Sequence, residues 1–394
     1  MRNPGFPSSV AVFAGGGTGG HLYPALALSD ALSGLRPELR SFFVGARQGV
    51  EARIMPTRGM EYLLLPVRGF RRGRILENVV VIWDLIRSLV ITGQLFTRLR
   101  PKLVVVTGGY ASGPAGLMAG IMGIPLALQE QNARPGFTAR VLSRWSQQIH
   151  LAFPEALESL PPQAQARTTM SGNPIRPVQR LDEGEARARF GIEAGSRVVL
   201  VVGGSQGSTA LNRLVLDAVR GVVHGELHRE PDVCLLWATG PANFPEVQAS
   251  LRELGDPSWV HLVGYIQEMP EALSFASLAL SRAGAMTTSE FLAWGIPAIL
   301  VPLPSAAADH QSRNAESLEA SGAAVHLPES TVTGPSLWRE LEGLFARPEA
   351  LAGMRAAALD LGRPEAATEI ARALSDLIPV DSEAGAQGSG RTPA

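Results

Sequence analysis

Residues 282–290 combine the residue types that bind a phosphate-bearing ligand at the start of a helix. The segment follows the apolar run 276–281, and its small residues and Gly284 predict a turn between a strand and a helix. Free N–H groups at a helix start attract anions, each contact contributing about 0.3–1 kcal/mol. Glu290 would repel phosphate, so we expect its carboxylate to face neutral hydroxyls such as those of a ribose. The alternative is an ordinary capped helix with a solvated acid.

A second glycine-rich turn lies near the start of the chain, where the β-like run 10–14 enters a loop with the sequence Gly15-Gly16-Gly17-Thr18-Gly19-Gly20-His21. Apolar residues then recur at helical spacing, which predicts a strand, a loop and a helix. The loop matches the dinucleotide fingerprint formally, but no acid follows the second predicted strand, at 43–47, to bind a ribose. A nicotinamide oxidoreductase is therefore disfavoured, whereas the loop backbone can still approach a diphosphate.

His21 ends this loop at the predicted helix start. The positive end of the helix dipole disfavours its protonated form, so a neutral imidazole can act there as a general base. The alternative is a histidine that caps or lines the loop. Two more predicted strands end in Gly108-Gly109-Tyr110 and Gln129-Glu130-Gln131-Asn132. Because the carboxyl ends of parallel strands meet at one edge, His21, Tyr110, Glu130 and Asn132 are expected to share a cleft.

The elements that must position these groups form two similar halves. The run 197–202 enters Gly203-Gly204-Ser205-Gln206-Gly207 and then a helical pattern, repeating the opening of the chain. In 394 residues with 45% apolar content, this predicts an α/β fold of two Rossmann-like, doubly wound domains. We place the first domain at 1–172 and the second from 173, with the Pro- and Gly-containing segment 171–177 as linker. Residues 380–394 are predicted to be disordered.

Composition limits the partners. A net charge of −1 gives no reason to expect nucleic acid, and the single Cys234 lies in an apolar run as a core thiol. Only His224 and His228 have metal-ligand spacing, with no third ligand, so we predict no metal and no cofactor. No long apolar segment precedes Gly15, so we expect no signal peptide, and no run of 18 uninterrupted apolar residues predicts a membrane span. The basic, apolar stretch 68–102 instead predicts contact with an anionic membrane surface, or else a crossover helix.

Six motifs together resemble one family, the bacterial MurG-type transferase that adds N-acetylglucosamine to lipid I in peptidoglycan synthesis. They are Gly-Gly-Thr-Gly-Gly-His at 16–21, Gly-Gly-Tyr-Ala-Ser-Gly-Pro at 108–114, Glu-Gln-Asn at 130–132, Gly-Asn-Pro-Ile-Arg at 172–176, Gly-Gly-Ser-Gln-Gly at 203–207 and the segment 282–290. The resemblance covers residues 10 to about 370. It implies a GT-B architecture in which two domains face a cleft. It also implies that 173–364 is the UDP-sugar domain and that a helix at 365–379 crosses back to the first.

The resemblance implies UDP-N-acetylglucosamine as donor, lipid I as acceptor and an inverting displacement without metal at the cytoplasmic face of the cell membrane, with other cell-wall synthesis proteins as further partners. His21 would be the base, Glu130 its competitor or orienting partner, and Tyr110 a third catalytic residue. Donor or cleft contacts would come from Thr18, Gly19, Gly20, Asn132, Arg176, Ser205, Ile266 (uracil), Arg282, Ala285, Met286, Thr287, Thr288, Ser289, Glu290 (ribose) and Gln311 (sugar hydroxyls). The glycine loop 15–20 would take the acceptor diphosphate.

The chain departs from the family pattern at Gln129, where His is common, at Ala139, where Asn is common, and at His310, where some members have Gln. If the usual residues at 129 or 139 contact acceptor, that contact is altered here. Three other functions stay open at this stage. They are a different lipid-directed glycosyltransferase, such as one acting on diacylglycerol, a UDP-sugar epimerase, and a non-catalytic scaffold that binds sugar nucleotide or membrane.

Overall fold

A computed structural model describes residues 9–69, 75–306 and 309–379. The described part of the chain contains two parallel sheets. The first has the strand order β3-β2-β1-β4-β5-β6-β7, and its strands are β1 Val10–Ala14, β2 Arg40–Ala46, β3 Glu61–Leu65, β4 Leu103–Val106, β5 Leu126–Glu130, β6 Gln148–Leu151 and β7 Thr168–Met170.

The second sheet has the order β10-β9-β8-β11-β12-β13. Its strands are β8 Arg197–Val202, β9 Val233–Ala238, β10 Val260–Val263, β11 Ala276–Ser281, β12 Ala298–Leu300 and β13 Ala324–His326. All observed pairings in both sheets are parallel, for example Ala14 beside Val44 and Ser281 beside Val202. The predicted α/β class with two doubly wound domains is confirmed.

Helices connect the strands and cover both sheet faces, as parallel sheets require. They are α1 Gly19–Leu35, α2 Glu51–Thr57, α3 Ile75–Leu99, α4 Gly113–Met122, α5 Phe137–Leu142, α6 Glu155–Glu158, α7 Pro162–Gln165, α8 Glu183–Arg189, α9 Thr209–Val223, α10 Phe244–Glu253, α11 Met269–Phe275, α12 Ala285–Trp294, α13 His310–Ala320, α14 Gly334–Phe345, α15 Pro348–Leu361 and α16 Ala366–Asp376. A short 3₁₀ turn spans Tyr110–Ser112.

The apolar runs read from the sequence become buried central strands. Every residue of β1, β4 and β9 is buried, and Cys234 lies within the core of the second domain. The last helix, α16, returns to the first domain, where Ile370, Ala371 and Leu374 pack with residues of α1 and β1. The last helix of the described residues thus packs against the first domain.

Helix α3 exposes several large apolar side chains, among them Val79, Trp83 and Val90, and buries small polar ones. Ser88 and Thr92 are fully buried, and their hydroxyls donate to the helix carbonyls of Asp84 (2.7 Å) and Ser88 (2.8 Å). The segment Val79–Leu99 is long and apolar enough to cross a membrane, with a mean hydropathy of 1.7. However, α3 packs against α4, and Phe96 is buried in the domain core. The inner face of α3 is therefore that of a crossover helix, which was the alternative prediction for this stretch.

Parts of two predictions fall outside the described residues. Arg71, Arg72 and Arg74 of the basic stretch lie in the gap before α3, and the tail 380–394 follows the last described residue.

Candidate active site

The site is built where the strand order of each sheet reverses. In the first sheet the switch lies between β1 and β4, and in the second between β8 and β11. Ligands of open α/β sheets bind at such points, outside the carboxyl ends of the strands. Both glycine loops found in the sequence, 15–20 and 203–207, leave these ends. The two loops also face each other, because a Cβ built on Gly19 would lie 3.8 Å from Ser205 Oγ.

His21 is held by the ends of two neighbouring strands. Its Nδ1 lies 3.1 Å from the Thr107 carbonyl oxygen and 2.8 Å from Gln131 Oε1, and both atoms are acceptors. Nδ1 must therefore carry the ring proton, which leaves Nε2 with a free lone pair. In return, Thr107 Oγ1 donates to the His21 carbonyl at 2.7 Å. This tautomer is the one that a general base at Nε2 requires.

Close approach of the backbone makes glycine necessary beside His21. Gly109 has φ +74°, and a Cβ there would lie 2.3 Å from the Gly16 carbonyl oxygen. Its Cβ would also stand 3.0 Å from the His21 ring. Only glycine lets the loop after β4 pass between the first glycine loop and the imidazole.

Glu51, which the motif analysis missed, fills the concave side of the first glycine loop. It is fully buried, and its carboxylate accepts from Gly17 N at 2.9 and 3.0 Å and from Ala46 N at 2.7 Å. The expectation that this loop takes the acceptor diphosphate needs correction at Gly17, whose N–H is already bonded. No side chain caps the start of α1 at Thr18, so the N–H groups at Gly19 and Gly20 are not bonded to a capping side chain.

We predict that Glu51→Ala destabilises the protein, because the buried N–H of Ala46 and the partly buried N–H of Gly17 lose their acceptor. Each such loss costs roughly 1–3 kcal/mol, so the free energy of unfolding should fall by about 3 kcal/mol. Urea unfolding of the variant measures this change. The matched control is Glu61→Ala, which removes an exposed acid paired with Arg40 at 3.5 Å and should cost under about 1 kcal/mol. Equal losses in the two variants would contradict a loop-organising role for Glu51.

Tyr110 and Glu130 occupy different positions relative to the base. Tyr110 is half-buried and lies against the loop, with a Cβ on Gly17 falling 2.8 Å from its ring. Burial, and secondarily Glu51, raises the pKa of the Tyr110 phenol, which favours its protonated form. The Glu130 carboxylate is buried and accepts from Asn132 N (3.0 Å), Asn132 Nδ2 (3.1 Å) and Gly136 N (3.3 Å). Glu130 therefore fixes the conformation of the loop after β5 through these three hydrogen bonds. If Glu130 acted as the base, these hydrogen bonds would have to break.

The second domain has a cavity of about 330 Å³ at the carboxyl ends of β8 and β11. Its walls are the second glycine loop, the start of α9, the start of α12 and the segment after β12, and the predicted residues that line it are Arg282, Thr287 and Gln311. Gly207 has φ +77°, and a Cβ there would lie 2.0 Å from the Thr239 carbonyl oxygen, which explains the glycine. Gln311 Oε1 accepts from Leu303 N at 2.9 Å and leaves its amide nitrogen for a ligand.

Several predicted contacts are already used within the protein. Arg282 is buried, donates to Ser208 Oγ and the carbonyls of Val301 and Pro302, and pairs with Glu329 at 2.5 Å. Arg282 was predicted to contact the ligand; it lines the cavity, but its guanidinium is bonded to groups of the protein. Thr288 is buried, and its hydroxyl donates to carbonyls of its own helix. The side chains of Ala285 and Ile266 are also buried, whereas Met286 and Thr287 are partly exposed.

Glu290 lies at the cleft with a cationic partner. Its Oε1 is 3.5 Å from Arg176 Nη2, and about 20% of its side chain is exposed. Burial raises the pKa of Glu290, and the charge and hydrogen bond of Arg176 oppose that shift. Burial raises the pKa of the Tyr265 phenol. The nearby charges of Tyr23 and Glu290 add to this shift, and the charge of Arg176 opposes it. Neither tyrosine was singled out from the sequence, because neither stands in a glycine-rich motif.

Two buried asparagines join the domains at the floor of the cleft. Asn314 accepts from Ala133 N at 2.9 Å and donates to Asn132 Oδ1 (3.3 Å) and the Ala283 carbonyl (3.2 Å). Asn173 donates to the Gln131 carbonyl (3.1 Å) on one side and to Ser289 Oγ (2.9 Å) on the other. Asn132, predicted as a cleft contact, is buried in this junction. Ser289, also a predicted contact, accepts the hydrogen bond of Asn173 on the second-domain side of the junction.

The two notable sequence departures are buried too. Gln129 is fully buried between Asn173 and Gln131, and Ala139 packs in the core of the first domain. Neither side chain faces the cleft. The two departures therefore change buried residues beneath the site and do not change the side chains that line the cleft.

A larger depression lies elsewhere. It measures about 650 Å³ and is lined by residues between Val222 and Arg229 and by Trp259. These segments precede β9 and β10, so the depression is at the amino ends of the strands, away from the switch point. His224 and His228 belong to this region, and among the described residues no group of three metal-binding side chains occurs.

Two Rossmann-like domains whose switch-point loops face one cleft define the GT-B fold. Two family models match the chain: the glycosyltransferase family 28 N-terminal domain over residues 11–151 and the C-terminal domain over residues 198–372. The chain belongs to glycosyltransferase family 28 and to its MurG group.

Relatives along nearly the whole chain support this assignment. The UDP-N-acetylglucosamine–N-acetylmuramyl-(pentapeptide) pyrophosphoryl-undecaprenol N-acetylglucosamine transferase of Salinibacter ruber is 40% identical over 362 residues, covering 92% of this chain and 95% of the relative. The Desulfitobacterium hafniense protein of the same name is 35% identical over 370 residues, covering 93% and 98%. The crystal structure of Acinetobacter baumannii MurG matches with a TM-score of 0.73 and 25% identity, covering 93% and 99%. A UDP-N-acetylglucosamine 2-epimerase, at 14% identity and a TM-score of 0.61, shares the fold.

Proposed function

We propose that the protein transfers N-acetylglucosamine from UDP-N-acetylglucosamine to the C4 hydroxyl of the muramyl sugar in lipid I, giving lipid II. The observation that carries the proposal is the arrangement of the cleft. His21, whose Nδ1 is fixed as a donor, is on one wall, and the cavity beside the second glycine loop is on the other. The names of the relatives describe transfer of N-acetylglucosamine between the same donor and acceptor.

The reaction is a single inverting displacement. The muramyl C4 oxygen attacks the anomeric carbon while Nε2 of His21 takes the hydroxyl proton, and the bond between the anomeric carbon and the diphosphate oxygen breaks. The electron pair of that bond leaves with UDP. Because the base accepts one proton and no enzyme atom bonds to the sugar, one positioned imidazole suffices. The helix starts at α1, α9 and α12 supply N–H groups for the diphosphates.

On the donor side we assign the diphosphate to the loop around Ser205 and the start of α12. The ribose is assigned to Glu290, the uracil to the backbone at Ile266 and the sugar hydroxyls to Gln311. Thr18, Gly19 and Gly20 face this ligand from the first domain. Support comes from the cavity, which the second glycine loop, the start of α12 and Gln311 line, and from the approach of Gly19 to Ser205 across the cleft.

The function is tested by supplying radiolabelled UDP-N-acetylglucosamine with lipid I, with diacylglycerol, or alone. We expect label in the lipid fraction and release of UDP with lipid I only. Label on diacylglycerol would assign a different acceptor class, and conversion of the donor without acceptor would indicate an epimerase. Calorimetric binding of the donor without UDP release in the lipid I arm would leave a scaffold. Chelator should not change the rate.

We further propose that the outer face of α3 rests on the anionic inner surface of the membrane. Val79, Trp83, Ile86 and Val90 recur at helical spacing, and Trp83 is 67% exposed. Exposed Arg87, Arg98 and Arg100 accompany them. The neighbouring helices continue the apolar surface with Ile121 on α4 and Phe137 on α5. Apolar burial and cation attraction act together on such a face.

Replacing Val79 and Trp83 by Ser should weaken binding to vesicles containing phosphatidylglycerol about tenfold or more. Burial of one large apolar side chain is worth roughly 1.5–3 kcal/mol, and about 1.4 kcal/mol is tenfold in affinity. Vesicle co-sedimentation measures the change. Val223→Ser, on the second domain and 39% exposed, is the matched control and should bind as the wild type does. Unchanged sedimentation of the double variant would remove α3 from the contact.

A further inference from the structure

A buried chain of amide groups runs from the donor helix to His21. Ser289 on α12 accepts from Asn173 Nδ2 at 2.9 Å, and Asn173 Oδ1 accepts from Gln129 Nε2 at 3.0 Å. Gln129 Oε1 accepts from Gln131 Nε2 at 2.5 Å, and Gln131 Oε1 lies 2.8 Å from His21 Nδ1. Apart from its two end residues, every member is at most 2% exposed.

The direction of each hydrogen bond is fixed by its neighbours. Gln131 Nε2 also donates to the Thr107 carbonyl at 2.7 Å, so the amide oxygen must face His21. Gln129 must then present its oxygen to Gln131 and its nitrogen to Asn173. A reversal at any member would set two donors or two acceptors against each other in a site without water access, at the cost of unsatisfied buried groups.

We propose that Gln131 and Gln129 are positioning residues for the transferase base, and that with Asn173 they tie the orientation and basicity of His21 to the donor helix α12. Gln131 Oε1 holds the Nδ1 proton and stabilises the imidazolium that forms when Nε2 takes the proton of the acceptor hydroxyl. The O–H bond breaks, the Nε2–H bond forms, and Nδ1 keeps its proton. This inference rests on the proposed function, in which His21 is the base.

Gln129 is a suitable central member for a chemical reason. Its amide offers one acceptor to Gln131 and one donor to Asn173, and a neutral imidazole offers the same pair. Gln129→His is therefore a conservative replacement, whereas Gln129→Met keeps the length and removes both bonds. Gln131→Met removes the acceptor at Nδ1, and Gln131→Glu replaces it by a charged, stronger one. Both variants also lose the Nε2 donor to the Thr107 carbonyl and Gln129 Oε1, so this loss is common to the pair.

The test compares the pH dependence of kcat/KM for these four variants with that of wild type. Activity rises with pH as the base loses its proton, so a group that favours imidazolium moves this rise to higher pH. We expect Gln131→Glu to move it up by about one pH unit or more, and Gln131→Met to move it down with a kcat loss of about tenfold or more. Gln129→Met should lose kcat as well, and Gln129→His should restore it to within about threefold of wild type.

The titratable side chains on the two loops that pack against the ring, Tyr110 and Glu130, are the same in every variant. Differences in the pH profile therefore report residues 129 and 131. A merely structural role would lower activity in all four variants without moving the profile in opposite directions at Gln131→Glu and Gln131→Met. That result, in variants with wild-type thermal unfolding, refutes the inference.

A second readout separates failure of this inference from failure of the proposed function. Protein labelled with ¹⁵N-histidine is titrated without substrates, and the His21 ring signals are assigned by their loss in His21→Gln. The ring should carry its proton on Nδ1, and its titration midpoint should move up in Gln131→Glu and down in Gln131→Met. If the wild type does not act on lipid I but these shifts occur, the positioning role of Gln131 is supported and the proposed function is refuted. If lipid I is used and the ring signals do not move, only the positioning role is refuted.

Discussion

Replacement of His21 by alanine is expected to lower kcat with lipid I by a factor of about 10²–10⁴, the usual contribution of a positioned general base. The structure gives the physical reason. Nδ1 is fixed as a donor by Thr107 O and Gln131 Oε1, and Nε2 is the atom left to accept a proton. Because the donor cavity is built from the second domain, calorimetric affinity for UDP should change little. Steady-state transfer of labelled N-acetylglucosamine measures the loss.

The control for this prediction is His224→Ala, an exposed histidine outside the cleft, which should retain wild-type activity. Added imidazole should restore part of the His21→Ala activity by entering the space of the missing ring. Full activity of His21→Ala would remove this residue from the role of base. Glu130 would then be the candidate base, and its carboxylate would first have to release the N–H groups of Asn132 and Gly136.

The two-domain fold could be predicted from the sequence because it depends on local patterns. Near-continuous apolar runs such as 103–106 and 197–202 give parallel strands, and each glycine loop marks a strand end at a switch point. These patterns need no knowledge of distant contacts. The convergence of His21, Tyr110 and the loop after β5 followed from topology alone, since carboxyl ends of parallel strands share one edge.

The parts that could not be predicted depend on pairing between distant residues. Glu51 comes 34 positions after Gly17, and no local signal shows that its carboxylate fills the glycine loop. Asn314 and Asn132 are 182 positions apart, and the bond between them decides that Asn132 serves the domain junction. Arg282 illustrates the same limit, because its partner Glu329 lies beyond two further strands. Residue type and spacing identified Asn132 and Arg282 as site residues without showing what each one bonds, and they did not identify Glu51 or Asn314.

Replacement of Glu290 by alanine is expected to weaken UDP binding by about 10- to 100-fold, since a hydrogen bond to a charged group contributes about 1.5–3 kcal/mol. The proposed contacts are the two ribose hydroxyls, which a carboxylate can accept together. Isothermal titration calorimetry with UDP measures the change. With 2′-deoxy-UDP, wild type and Glu290→Ala should differ less than they do with UDP, because one of the hydroxyls is already absent.

The pH dependence of UDP affinity gives a sharper form of the same prediction. Burial raises the pKa of Glu290 above its usual value, so the carboxylate is protonated, and stops accepting from both hydroxyls, at a higher pH than an exposed glutamate would be. Affinity should therefore be greatest above that raised pKa and fall as the pH drops through it. Because Arg176 opposes the shift, Arg176→Ala should move the fall to still higher pH. Glu290→Gln should abolish this fall, and a wild-type affinity that does not change on acidification would place the ribose away from this carboxylate.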